Sequence, residues 1–196
     1  MAIPDWDQST RHLPPGRYRA TLAEIHERLV SASAFEASET RQQVWSGFVS
    51  YLAAWRQVEA GLAAELDRQR LVMTVWLGGS FVSQKPNPSN LDLTVLVDGE
   101  LAESCRGKPG IGALHRLTSR DKMLSTFKVS PCVVQYHYFR SPFRSQIVGN
   151  SKVQDYVMFR GAFDDWWQRA RPDDLPKAEP TRETAGTLRG YLEVAV

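Results

Sequence analysis

The tripeptide Gly78-Gly79-Ser80 is separated by nine residues from two polar residues, Asn90 and Asp92. The glycines let backbone N–H groups approach a phosphate closely, and the Ser80 hydroxyl can donate to the same oxygen. Side chains two apart on a strand point to one face of a sheet. Asn90 and Asp92 would therefore face a phosphate held by the glycines, which predicts a nucleotide or phosphate pocket.

This stretch resembles the signature of the nucleotidyltransferase (polymerase β-like) superfamily. In that signature a Gly-Ser pair, a linker and a strand of alternating acidic and apolar residues follow one another. Gly79-Ser80-Phe81-Val82 with Lys85-Pro86-Asn87-Pro88 is similar to a group of uncharacterised bacterial nucleotidyltransferase-like proteins. Residues 13–16 and 189–194 also look like that group, although only residues 78–93 are specific.

The resemblance implies that carboxylates hold a divalent metal, usually Mg²⁺, which orients a nucleoside triphosphate while a nucleotidyl group passes to a hydroxyl. Carried over to this sequence, Gly78, Gly79 and Ser80 would contact the phosphates of the nucleotide. Asp92 would be a catalytic metal ligand, and Asn90 occupies the place of the second ligand.

Two departures from the family pattern concern the metal. Asn90 offers a neutral oxygen where a carboxylate is expected. The superfamily also has a third acidic residue on a later strand, which acts as a base or further ligand. The matching strand here, predicted at 131–139, has Gln135 and His137 on the face expected to carry that residue, and no acid. His137 could act as a base or ligand, or it is simply packed and hydrogen-bonded. Lys85 could meet a triphosphate, or it is a solvated loop lysine. Both departures predict a degenerate acidic motif.

Two functions remain open at this point. The favoured one is a degenerate protein that keeps the fold and a nucleotide pocket and acts as a binding or regulatory partner. The alternative is an active Mg²⁺-dependent nucleotidyltransferase of the toxin or phage-defence type, acting on an RNA, a protein or a small-molecule hydroxyl. The alternative needs a second carboxylate that reaches the pocket of Ser80 and Asp92, for instance Asp98, Glu100 or Asp121.

Composition bounds these hypotheses only loosely. The 24 basic and 22 acidic side chains give a net charge of +2, which provides no global argument for nucleic-acid binding. The N-terminus lacks the basic and apolar regions of a secretory signal, and no segment has the apolar length of a membrane span. We expect a cytoplasmic protein with reduced Cys105 and Cys132, and no membrane partner.

The secondary structure expected along the sequence predicts one α/β domain over 1–196. In this domain a small mixed β-sheet, flanked by helices, positions the residues named above. We expect an extended arm over 1–16, a helical segment over 17–70, a core over 71–139, and a C-terminal helix with an extended tail over 151–196. Apolar runs predict strands at 71–78, 91–97 and 131–139, and a final edge strand at 191–194. The sequence Thr21-Leu22-Ala23-Glu24 predicts a helix-capping box, and 113–127 predicts one helix.

Overall fold

The computed structural model describes residues 3–67, 69–143, 149–170, 181–182, 186 and 188–194. Five strands form one mixed sheet in the order β1-β5-β2-β3-β4. β1 and β5 are parallel, as are β3 and β4, whereas β2 is antiparallel to both of its neighbours. The strands are β1 (Gly16–Ala20), β2 (Val72–Gly78), β3 (Leu91–Asp98), β4 (Val129–Tyr136) and β5 (Gly190–Val194).

The α/β class with a mixed sheet and flanking helices is confirmed, and β2, β3 and β4 lie close to their predicted positions. Two predictions about the edges are wrong. The segment over 17–70 is not helical at its start, because Gly16–Ala20 is a strand. The last strand is not an edge, because β5 lies between β1 and β2.

The helices are α1 (Leu22–His26), α2 (Arg41–Gly61), α3 (Ala63–Leu66), α4 (Gly99–Ser104), α5 (Ile111–Leu117), α6 (Arg120–Phe127) and α7 (Ser151–Gln168). The capping box is confirmed, since the Thr21 hydroxyl accepts from the Glu24 N–H and the Glu24 carboxylate accepts from the Thr21 N–H. The single helix predicted over 113–127 is instead two helices, α5 and α6. No described helix is long and apolar enough to cross a membrane.

The sheet has two covered faces. The larger core forms on the face that packs against α1, α2, α5 and α6, and β3 contributes Leu91, Leu93, Val95 and Val97 to it. The other face packs against α7 through a smaller cluster of mainly aromatic residues, which includes Trp76, Tyr156 and Trp167. Because side chains alternate along a strand, Asp92 belongs to the α7 face.

The arm over 3–15 packs on the loop between β2 and β3. The Trp6 indole donates to the carbonyl of Val82, and the Gln84 N–H donates to the carbonyl of Arg11. Trp6 and Leu13 are both buried. The arm therefore supports the segment that follows Ser80.

Candidate functional site

The β2–β3 pair brings the two halves of the predicted motif together. Gly78 lies directly opposite Asp92 in the antiparallel register. The chain then turns through a short 3-10 helix, Gly79–Val82, in which the partly exposed Ser80 accepts hydrogen bonds at its carbonyl from the N–H and hydroxyl of Ser83. The geometry thus places the glycines, Ser80 and Asp92 at one end of the sheet.

The backbone of Gly79 lies against the Asp92 carboxylate. Its φ of 71° lies in the left-handed region, and a Cβ added to it would lie 2.3 Å from Asp92 Oδ2. Any side chain at this position would displace the carboxylate. Gly79 is thus required for packing against Asp92, in addition to the close approach to a phosphate that its sequence position predicts.

We expect Gly79→Ala to destabilise the protein by about 2 kcal/mol, from the strained φ together with the overlap on Asp92. Gly107→Ala is the matched control, because Gly107 has a φ of 77° with nothing within 4 Å of its added Cβ. The control should lose only about 1 kcal/mol in urea denaturation. In the double variant Gly79→Ala/Asp92→Ala the overlap is removed, so Gly79→Ala should cost no more than the control in this background. If the losses of the two single variants were strictly additive, the contact between residue 79 and Asp92 would be contradicted.

Asn90 is hydrogen-bonded to the predicted metal ligand. Its Nδ2 donates to Asp92 Oδ1 at 3.0 Å, and its Oδ1 accepts from the Ser89 hydroxyl at 3.1 Å. Flipping the amide would set two oxygens against each other, so Asp92 determines its orientation. Asn90 therefore presents a donor, not a metal-ligating oxygen, toward Asp92.

The strand beside Asp92 presents different residues from those predicted. β4 pairs with β3 so that Ser130 is opposite Asp92 and Cys132 is opposite Thr94. Parallel partners share a face, so Ser130 and Cys132 lie on the face of Asp92. Gln135 pairs with Val97, which contributes to the core on the other face. The expectation that Gln135 faces the site is wrong.

His137 follows the far end of β4, seven residues beyond Ser130. At ~3.3 Å per residue, this places it roughly 20 Å from Asp92. Its buried ring packs on Gly99, where an added Cβ would lie 2.5 Å from His137 Cε1. The structure therefore does not bring His137 together with Asp92.

A basic group stands beside Asp92 that the sequence reasoning missed. Arg120, the first residue of α6, donates from Nε to the Ser130 hydroxyl at 2.6 Å. Within the described ranges its terminal Nη groups have no hydrogen-bond partner. Burial is the main effect on the Cys132 thiol and raises its pKa. To smaller extents, the charge of Arg120 lowers this pKa and the charge of Asp92 raises it. The positive charge of Arg120 and the negative charge of Asp92 therefore both act on the Cys132 thiol.

The loop after Ser80 is held by a second arginine without an obvious sequence signal. The Arg41 side chain is 1% exposed and donates to the carbonyls of Leu29, Phe81, Ser83 and Lys85 at 2.6 to 2.9 Å. Its guanidinium also lies 3.6 Å from the centre of the Phe35 ring. Burial lowers the pKa of Arg41 to about 10. Arg41 therefore determines where the loop runs.

Lys85 contributes its backbone to this arrangement, while the residue as a whole is exposed. Its carbonyl accepts from Arg41, and its N–H donates to the Ser83 hydroxyl. These bonds fix the loop backbone at Lys85. They do not involve its side chain, so binding of a triphosphate by Lys85 stays a prediction.

Trp167 of α7 covers the sheet next to the site. Its indole N–H donates to the buried Thr94 hydroxyl at 2.9 Å. A Cβ added at Gly78 would lie 2.3 Å from Trp167 Cε3, so the ring rests directly on this glycine. Gly78 is therefore used for packing against α7, and the open part of the site lies toward Gly79, Ser80 and Arg120.

The residues present do not fit a Mg²⁺ site of the expected kind. Asp98 and Glu100 lie at the far end of β3, where Asp98 caps α4 by accepting from the backbone N–H groups of Glu100 and Leu101. In the part of the chain that the structure describes, no three His, Cys, Asp or Glu side chains are grouped to hold a metal ion. Mg²⁺ favours carboxylates and phosphates, and Asn90 presents a donor instead.

Comparison with known proteins gives a family without a described function. No curated protein matches the chain, and no solved structure matches it. Residues 4–180 match the family described as "Family of unknown function (DUF6932)". Because this match covers far more than half of the chain, the protein belongs to the DUF6932 family.

Proposed function

We propose that this protein is a degenerate nucleotidyltransferase-like protein that binds a nucleotide without transferring it and acts as a binding or regulatory partner. The hydrogen bond from Asn90 to Asp92 carries the proposal. In the resembled motif two neighbouring carboxylates repel each other unless a metal ion lies between them. Here Asn90 donates to Asp92, so the pair attracts without a metal ion.

Three features support a phosphate ligand. Gly79 has backbone geometry that only glycine adopts readily, Ser80 is partly exposed, and Arg120 keeps its terminal nitrogens without a partner in the described ranges. An arginine whose Nε is already fixed loses less side-chain freedom when it pairs with phosphate. Arg120 would therefore supply the positive charge that Mg²⁺ supplies in the resembled superfamily.

The direct test combines binding and transfer. Calorimetric titration with nucleoside triphosphates should give saturable binding that persists in EDTA and weakens about tenfold in Arg120→Gln. Arg56→Gln, which removes an exposed arginine of α2, is the charge-matched control. Labelled triphosphates incubated with Mg²⁺ and RNA or protein acceptors should yield no labelled product. Transfer by the wild type would overturn the proposal in favour of the active alternative, with Mg²⁺ as cofactor.

Asn90→Asp should create a response to Mg²⁺ that the wild type lacks. Two carboxylates at the present Asn90–Asp92 spacing repel each other, so the variant should melt at a lower temperature in EDTA. Millimolar Mg²⁺ should raise its melting temperature by several degrees, because only the folded state brings the two carboxylates together. Asn90→Ala is the control, since it also loses the hydrogen bond but adds no charge. An equal Mg²⁺ response in both variants would contradict this account.

A further inference from the structure

A groove of about 500 Å³ lies between α2, α5 and α6. These helices pack on the face of the sheet opposite to Asp92, so the groove is separate from the site described above. Its volume is within the range of small-molecule sites, which is roughly 300–1,000 Å³.

The groove has an apolar floor. Leu117 and Met123 lie at the bottom and are 6% and 5% exposed, and Val58 and Phe127 are partly buried beside them. Helix α2 presents Ala54, Val58 and Gly61 to the groove at spacings of three and four residues. These spacings align the three positions on one side of the helix. An apolar body could lie along this floor.

Glycines leave the end of the groove open. Nothing lies within 4 Å of a Cβ added at Gly61, and only one side-chain atom, Leu62 Cδ2 at 3.9 Å, lies within 4 Å of a Cβ added at Gly110. Both residues line the groove. The space next to them is therefore unfilled by the chain itself.

The charge at the rim has one sign. Arg116 and Lys122 both line the groove, and none of the residues that line it is acidic. Across the described ranges, neither side chain has an ion-pair partner. The rim would therefore attract an anionic group, while the floor favours an apolar one.

We propose that this groove binds a free amphipathic carboxylate, with its head at Arg116 and Lys122 and its apolar body over Leu117 and Met123. We place the head between Arg116 of α5 and Lys122 of α6, because both side chains line this one groove. The apolar body supplies most of the affinity, and the head determines which molecules are accepted.

The test uses decanoate below its micelle concentration, titrated calorimetrically into the full chain. We expect one site per chain, and binding of the neutral decanol about tenfold weaker, as expected for a lost charge-assisted contact. The cationic decyltrimethylammonium should not bind. Equal affinity for decanoate and decanol, or no saturable binding of decanoate, would overturn the proposal.

Two sets of variants locate the site. Gly61→Phe should fill the groove and abolish binding. Gly161→Phe is the matched control, because Gly161 is an exposed glycine of α7 outside the groove with nothing within 4 Å of its added Cβ, and it should bind like the wild type. The double variant Arg116→Gln/Lys122→Gln changes two exposed side chains and should bind decanoate about as weakly as the wild type binds decanol. Undiminished binding in a folded Gly61→Phe would overturn the assignment. If that variant fails to fold, undiminished binding in the double variant would overturn it instead.

Discussion

Arg41→Met is expected to lower the free energy of unfolding by about 4 kcal/mol, because it leaves buried backbone carbonyls without donors. Methionine fills much of the volume of the arginine side chain but cannot donate to Leu29, Phe81, Ser83 or Lys85. For a chain of this size, the loss corresponds to roughly 10 °C in melting temperature. Chemical denaturation and calorimetry measure both quantities.

Two further variants make the test specific to the guanidinium group. Arg41→Lys keeps the positive charge but lacks the planar guanidinium group, which donates to several carbonyls at once. It should therefore retain less than half of the stability that is lost in Arg41→Met. Arg56→Met, in the exposed part of the same helix, should stay within about 0.5 kcal/mol of the wild type. A loss below about 1 kcal/mol in Arg41→Met would mean that water replaces the missing donors.

Gly47→Ala should also destabilise the protein strongly, by about 3 kcal/mol, although alanine is the better helix former by roughly 1 kcal/mol. A Cβ at Gly47 would lie 1.9 Å from the carbonyl oxygen of Phe127. This is backbone at the end of α6, which cannot rotate away as a side chain would. The helices α2 and α6 would have to move apart.

Gly61→Ala is the matched control for this prediction. Gly61 ends the same helix and has nothing within 4 Å of its added Cβ, so alanine should be neutral or stabilise by about 0.5–1 kcal/mol. Urea denaturation of the two variants side by side should show a large loss of stability for Gly47→Ala and no loss for Gly61→Ala. A stabilising Gly47→Ala would show that α6 can shift without loss of packing.

The strands with long apolar runs could be predicted from the sequence. The strand β1, which has no such run, could not. The run from Leu71 to Leu77 indicates β2 by composition alone. β1 reads Gly-Arg-Tyr-Arg-Ala and alternates between exposed and partly buried positions, so it carries little hydrophobic signal. Its strand conformation depends on pairing with β5, a contact between distant parts of the chain that no local window contains.

The same limit explains the outcome at the site. The spacing from Gly79 to Asp92 is local, so the sequence could place these residues together. Which residues of β4 stand beside Asp92 depends on register, and a shift of one residue exchanges the faces of a strand. Reading β4 from residue 131 without a register pointed to Gln135 in place of Ser130.

The two arginines were missed for a different reason. Arg41 begins α2, where a cation interacts unfavourably with the helix dipole, and that mismatch is the only signal in the sequence. Arg120 also begins a helix, α6, and its contact with Ser130 forms only when β4 is in place. Both residues look like solvated side chains until tertiary structure is known.

The position of β5 links assembly of the sheet to the order of synthesis. Residue 16 pairs with residue 190, and among the described strands β1 has no other partner. A ribosome that has not yet made residues 190–194 therefore holds a nascent chain in which β1 is unpaired and one edge of β2 is open. An open strand edge is a template for pairing with other chains. A prematurely terminated copy would carry that edge permanently, so message truncation would produce an aggregation-prone species distinct from the complete sheet.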